Sequence, residues 1–132
     1  MSNNELLREA KKVIENAYVP YSHFRVAAVL RLKNGETISG INVENASYGL
    51  ANCAERTALF TAYARGIRQE DIQSIMVYTD KDYFVSPCGA CRQVMNELMA
   101  GDAEVIMANA KDEMKVVHVK DLLPFGFSKE DL

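Results

Sequence analysis

The three cysteines of this chain sit in two short stretches, Asn52-Cys53-Ala54-Glu55-Arg56 and Ser86-Pro87-Cys88-Gly89-Ala90-Cys91. A shared site requires a fold that returns Cys53 to the side of a C-x-x-C beginning 35 residues further on. A strand–helix–strand crossover can do this. Three thiols are also the number that leaves one position of a tetrahedral zinc ion open to water, whereas structural zinc sites normally close with four ligands. Glu55 stands two residues after the first cysteine, beside a ligand without being one, where a proton carrier belongs.

Periodicity around these stretches points to such a fold. Leu6, Leu7, Ala10, Val13, Ile14 and Ala17 recur at helical spacing, which predicts an amphipathic helix from about Asn3 to Ala17, stopped by Pro20. From Phe24 to Leu32 the period becomes two, with Val26, Ala28, Leu30 and Leu32 on one face. Asn34-Gly35 reads as a type I′ hairpin turn into a second strand from Thr37 to Val43. Asn45 to Asn52 reads as a loop, and a helix runs from about Cys53 to a stop at Gly66. Ile72–Thr79 is a strand. A helix starts near Cys88 with Val94, Leu98 and Met99 inward, followed by strands at Glu104–Ala108 and Met114–Val119 and a helical turn near Leu122. The alternation after residue 53 implies parallel pairing. The expected fold is one α/β domain over residues 1–132, a three-layer α/β/α sandwich whose mixed sheet joins an N-terminal antiparallel hairpin to parallel strands.

Composition narrows the function. The net charge is −3 with no basic run, whereas binding polynucleotides through phosphates requires a Lys/Arg surface, so a small substrate is favoured over nucleic acid. No apolar run approaches the roughly 20 residues that span a bilayer, which argues against a membrane role. Met1-Ser2-Asn3-Asn4-Glu5 lacks the basic and apolar regions of a signal peptide. An odd cysteine count including a C-x-x-C points to a reducing compartment, the cytoplasm.

Both cysteine clusters fall at predicted helix N-termini, where orphan N–H groups and the helix dipole favour thiolates. Three thiolates around Zn²⁺ leave the site at −1, which opposes ionisation of a bound water, so a positive charge should stand near the sulfurs. Arg56 is the first candidate and Arg92, next to Cys91, the second. Two other uses of the cysteines stay open. A redox dithiol gives Cys53 no role, and a structural zinc site needs a fourth ligand, for which His23 and His118 lack ligand-like spacing. His118, in an alternating apolar stretch, reads as a partly buried strand residue.

A Cys-x-Glu followed by a later Pro-Cys-x-x-Cys is the signature of zinc deaminases. Over nearly its whole length the chain resembles the small, homotetrameric class of cytidine deaminases. The blocks that carry the resemblance are Tyr21-Ser22-x-Phe24-x-Val26, Asn42-Val43-Glu44-Asn45-Ala46, Cys53-Ala54-Glu55-Arg56, Ser86-Pro87-Cys88-Gly89-Ala90-Cys91-Arg92-Gln93 and Leu122-Leu123-Pro124. The resemblance implies one zinc per chain on Cys53, Cys88 and Cys91, with zinc-bound hydroxide attacking C4 of the cytosine ring and Glu55 shuttling protons. It implies that Asn42 and Glu44 bind the ribose, that Phe24 packs on the pyrimidine, and that backbone groups at Ala54 and Ser86 read the base edge. It further implies a homotetramer in which Tyr48 and a C-terminal aromatic act across subunits; Phe127 aligns better than Phe125. The implied reaction turns cytidine and deoxycytidine into uridine and deoxyuridine plus ammonia, in pyrimidine salvage. Ala27 stands where relatives often carry glycine. Blasticidin-type deaminases share the zinc motifs and are the nearest rival, and a non-catalytic zinc-stabilised binding module is the alternative outside enzymes.

Overall fold

Ser2 opens the first helix, α1 (Asn3–Val13), with a reciprocal cap: its hydroxyl accepts the Glu5 N–H at 3.2 Å while Glu5 takes the Ser2 N–H at 3.3 Å. The computed structural model describes residues 2–132. Leu6, Leu7 and Ala10 face inward as the spacing predicts, but the α-helix ends at Val13 and a 3₁₀ turn covers Ile14–Asn16. The helix stops short of Ala17 because the next residue joins the sheet margin. Tyr18 donates its N–H to the Asn42 carbonyl at 3.0 Å.

Five strands form one sheet in the order β2-β1-β3-β4-β5: β1 (Val26–Leu32), β2 (Thr37–Ile41), β3 (Ile72–Thr79), β4 (Glu104–Ala108) and β5 (Met114–His118). β1 lies antiparallel to both β2 and β3, β3 and β4 are parallel, and β5 returns antiparallel to β4. The sheet is therefore mixed, as expected, with a single parallel pair. All seven residues of β1 are buried because both of its faces are covered. Val26, Ala28, Leu30 and Leu32 pack with Ala58, Leu59, Ala62, Met95 and Met99 beneath α2 (Ala54–Ala64) and α3 (Gly89–Leu98). Ala27 and Val29 pack with Leu6, Leu7 and Ile14 under α1 on the opposite face. Ala27 thus lies on the α1 side of the sheet, so its extra methyl is absorbed away from the cysteine-bearing helices.

The hairpin differs from expectation. The loop has three residues, Lys33-Asn34-Gly35: Gly35 donates to the Leu32 carbonyl at 3.0 Å, and Leu32 donates to the Glu36 carbonyl at 2.9 Å. Gly35 alone takes positive φ, 93°. This is a type I turn followed by a left-handed glycine, not a type I′ turn. Asn34 is held right-handed because its side chain accepts the Glu36 N–H at 3.0 Å. One further expectation shifts. His118 is exposed, because it ends an edge strand and caps α4 (Val119–Leu122). In α3 and its cap Val94, Leu98 and Met99 pack on the core as expected, and Cys91 and Met95 are fully buried beside them.

Gly40 in β2 brings α2 against the sheet. A Cβ there would stand 2.5 Å from both the Ala54 carbonyl oxygen and the Ala58 nitrogen. Only glycine permits that approach, and it seats the first turn of α2. At the other end α2 closes with Gly66 at φ 84°, the Ile67 N–H reaching the Ala62 carbonyl at 3.0 Å and the Gly66 N–H that of Tyr63 at 3.1 Å.

Candidate active site

Two helix starts meet over the sheet. Cys53 is the N-cap of α2 and Cys88 the N-cap of α3, and Cys91 lies in the first turn of α3. The three Sγ atoms lie within 4.8 Å of one another. Cys53 and Cys88 sulfurs are 3.8 Å apart, far beyond a disulfide and close to the roughly 3.8 Å edge of a tetrahedron with Zn–S bonds of about 2.3 Å. The donor set therefore fits a single zinc ion, and all three cysteines are free. The Cys91 N–H donates to the Cys88 sulfur at 3.4 Å, as a helix N-terminus should toward a thiolate.

Charge around the sulfurs is uneven. Arg56 Nη2 donates to the Cys53 sulfur at 3.3 Å. A hydrogen bond from Cys91, with further ones from Arg56 and Cys88, draws the Cys53 thiol down to about 5 despite partial burial. Cys91 moves the other way: its proton is held by the bond to Cys53, and burial and the neighbouring Glu55 carboxyl raise it further. Arg92 has different work. It donates to the Pro87 carbonyl at 2.8 Å, to the Leu122 carbonyl at 2.9 Å and to the Ser86 hydroxyl, so it braces the approach to α3 rather than the sulfurs.

Glu55 is only 3% exposed. Burial pushes its carboxyl up to about 7, and the Cys53 thiolate adds to the rise, while Arg56 and Cys91 pull it partly back. An acid poised there can both give and take a proton at neutral pH. Ala54, the first residue of α2, is fully buried beside it.

A small ladder joins this corner to the residues expected to hold a sugar. Val43 and Asn52 exchange both backbone bonds, at 3.0 and 2.9 Å, and Glu44 donates its N–H to the Tyr18 carbonyl at 2.8 Å. Asn42 and Glu44 therefore flank a residue bonded to the one before Cys53. The Asn42 amide accepts from Val26 N at 3.0 Å and donates to the Phe24 carbonyl at 2.8 Å. Glu44 accepts the Tyr21 and Ser22 N–H groups, each at 3.1 Å, and the Ser22 hydroxyl. The Ser22 hydroxyl foremost, then the backbone bonds, hold this carboxyl below the usual range, so it is ionised. Glu44 and Tyr48 line one cavity with Tyr21, Ser22, Asn45 and Ala51. That cavity includes none of the cysteines and neither Phe24 nor Asn42.

The aromatic residues are less enclosed. Phe24 is half-buried against the α2 side of the core. Tyr48 is 79% exposed, its ring edge-on to Tyr21 at 6.2 Å. Phe127 and Phe125 both stand out from the surface, the former with its carbonyl held by Gln93 and Asn96 of α3 at 2.9 Å each. Ser86 is exposed and held by Arg92. Gly40 and the Arg25–Asp80 ion pair at 2.6 Å were not singled out from sequence. A glycine inside an alternating strand was the available signal for the first. Nothing local announces a pair 55 residues apart.

A family model described as the cytidine and deoxycytidylate deaminase zinc-binding region matches residues 1–109. A cytidine deaminase of Halalkalibacterium halodurans is 50% identical over 132 residues, covering 100% of this chain and 98% of that protein. One of Sporosarcina psychrophila is 46% identical, covering 100% of this chain and 96% of the relative. The crystal structure of cytidine deaminase from Burkholderia pseudomallei superposes with a TM-score of 0.92 at 47% identity, covering 96% of this chain and all of that one.

Proposed function

The chain belongs to the cytidine and deoxycytidylate deaminase family, and from that premise we propose that it hydrolyses the 4-amino group of cytidine and deoxycytidine. Water replaces the amine at C4, giving uridine or deoxyuridine and ammonia. The observation that carries the reading is a three-sulfur cluster at two helix starts with a buried, near-neutral carboxyl in the same turn. Cys53, Cys88 and Cys91 would hold one zinc ion per chain, which would supply Lewis-acid activation of water.

The remaining work falls to side chains. The Glu55 carboxylate takes one proton from the water and passes it to ring N3. It then takes the second from the new C4 hydroxyl and passes it to the departing amine as the C4–N bond breaks. Burial raises this carboxyl above the ordinary range, which favours its giving a proton back. Arg56 offsets the thiolate charge through the Cys53 sulfur. Phe24 packs on the pyrimidine, and backbone groups at Ala54 and Ser86 meet the base edge.

Hydrogen-bond capacity supports the sugar contacts. A carboxylate offers about four acceptor sites and Glu44 uses three, which leaves one for a ribose hydroxyl. Asn42 keeps one N–H and one lone pair free of its two backbone bonds. An ionised Glu44 also repels a phosphate on the same sugar oxygen, so free nucleosides are selected over nucleotides carrying one there and over internal residues of nucleic acid. The rim is open in the single chain, and exposed Tyr48 and Phe127 are the side chains to close it across subunits of a homotetramer. Phe125 is the other candidate for the last position.

We take the acting unit to be the single domain of residues 1–132 in the cytoplasm, where free thiols persist and nucleoside salvage would use it. No helix among the described residues is long and apolar enough to cross a membrane. The test is an ultraviolet assay of zinc-quantified protein against cytidine, deoxycytidine, CMP, adenosine and blasticidin S. Loss of the cytosine chromophore with the two free cytosine nucleosides, at one zinc per chain, is the expected result. Stoichiometric zinc without turnover of either would sink the assignment and favour the aminonucleoside or the binding-module reading.

A further inference from the structure

The loop from Asp80 to Ser86, between β3 and α3, is fastened at both ends. Asp80 receives Arg25 through Nε at 3.0 Å and Nη2 at 2.6 Å, and Arg25 also holds Glu15 at 3.0 Å. The Lys81 carbonyl accepts the Ala110 N–H at 2.8 Å, and the Asp82 carbonyl accepts Nδ2 of the buried Asn109 at 3.2 Å. At the far end Arg92 grips Ser86 and the Pro87 carbonyl. Between these anchors Tyr83 lays its ring on Phe24, centroids 6.2 Å apart and planes at 28°. That is offset stacking, the arrangement aromatic quadrupoles favour. Tyr83 is itself 56% exposed, so burial of its own ring is a weak reason for the contact. Phe24 thus touches both the core and Tyr83.

We propose that Tyr83 is a positioning residue for nucleoside binding, holding the Phe24 ring in the orientation that receives the pyrimidine. The inference rests on the reading of Phe24 as the side chain that packs on the base. Arg25, the neighbour of Phe24, fastens the Tyr83 loop through Asp80, so the two rings share one brace. Without Tyr83 the Phe24 ring is free to reorient, and each binding event must order it again. Ordering a side chain at an interface weakens affinity about two- to tenfold. Proton transfer at C4 does not involve Tyr83, so kcat stays within twofold.

The experiment measures KM and kcat for cytidine, and the inhibition constant of the product uridine, on zinc-loaded full-length enzyme. Tyr83→Ala, Tyr83→Phe, Phe24→Ala and the Tyr83→Ala/Phe24→Ala double variant are compared, each with zinc content and melting temperature recorded. The expected result is a two- to tenfold rise in KM and in the uridine constant for Tyr83→Ala, with kcat held. Tyr83→Phe, which keeps the ring, restores both values. Adding Tyr83→Ala to Phe24→Ala has no further effect, because the ring to be positioned is gone. Normal constants for Tyr83→Ala beside a raised KM for Phe24→Ala would overturn the positioning role alone. An unchanged KM for Phe24→Ala would overturn the base-packing reading and the positioning role with it. Equal effects of Tyr83→Ala in both backgrounds would show that Tyr83 acts independently of Phe24, which also overturns the proposal.

Discussion

The metal corner and the sugar rim are built by opposite means. Cys53, Cys91 and Glu55 stand on helices whose inner faces are buried in the core, and Gly40 locks the first of those helices to the sheet at backbone contact. Asn42, Glu44 and Ser22 are held instead by a short ladder and turn bonds at the edge of the fold, with Tyr48 and Phe127 left in the open. The corner is set by close packing, where a change of shape is felt and a change of chemistry at constant shape is not. The rim is set by a few polar bonds, each of which one substitution can remove. In the reading proposed above, chemistry that depends on tenths of an ångström falls where the fold is least compliant, and recognition falls where the side chains are still open.

The sharpest way to test that division is to remove chemistry without disturbing packing. Glu55→Gln keeps the shape of a buried side chain and removes the carboxyl proposed to carry protons. A loss of about 10²–10⁴ in kcat is expected, with one zinc per chain retained by metal analysis. Zinc lost together with activity would mean that Glu55 holds the corner together, contrary to the comparison. At the rim the signature should reverse. Glu44→Gln removes the charge that accepts Ser22 and that we propose accepts the ribose hydroxyl, and hydrogen bonds to an ionised acceptor are stronger than neutral ones. Steady-state kinetics should then give KM up roughly 10- to 100-fold, zinc unchanged, and weaker discrimination against a 3′-phosphorylated nucleoside.

How much of this was legible before the structure follows the same division. The strands at Ile72–Thr79 and Glu104–Ala108 are read at the observed bounds, because the short apolar runs Ile75–Tyr78 and Val105–Ala108 at their centres leave little choice. The cysteines and Glu55 are read from spacing, since ligand chemistry and helix caps both act over three or four residues. The end of the first helix is misread because Tyr18 is claimed by Asn42, a partner 24 residues away. The turn at Asn34-Gly35 is misread because Asn34 makes its own bond to Glu36 and keeps Gly35 as the one left-handed residue. Burial of Met95 and exposure of His118 depend on which element covers which face, and periodicity alone does not choose between adjacent positions.

Gly40→Ala attacks the corner through its support. The new Cβ would meet backbone atoms at 2.5 Å, and backbone cannot swing aside, so α2 must shift. Overpacking of this kind costs about 1–3 kcal/mol. Chemical denaturation should show that loss, accompanied by weaker zinc retention and lower kcat because Cys53 and Glu55 ride on the displaced turn. An unchanged denaturation midpoint with normal zinc would show that the corner is more compliant than its packing implies.

Arg56→Gln should have the smallest effect, and it tests charge separately from shape. Arg56 lowers the Cys53 thiol by its hydrogen bond and its charge, so without it the thiol takes up a proton at a higher pH. Zinc needs thiolate, so protonation competes with the metal. The sign follows directly: as pH falls, the variant should release zinc before the parent does, and the release midpoint should lie at higher pH. One pH unit corresponds to about 1.36 kcal/mol, the scale expected for a single partly buried contact. The measurement is zinc release against pH with a metallochromic dye, which needs no substrate. Arg92→Gln makes the contrast, since Arg92 grips Pro87, Leu122 and Ser86 rather than a sulfur. It should leave the release midpoint near the parent value while loosening the loop before α3. Coincident curves for Arg56→Gln and parent, with unchanged rate and pH profile, would remove Arg56 from the charge balance and leave the helix dipoles to carry it.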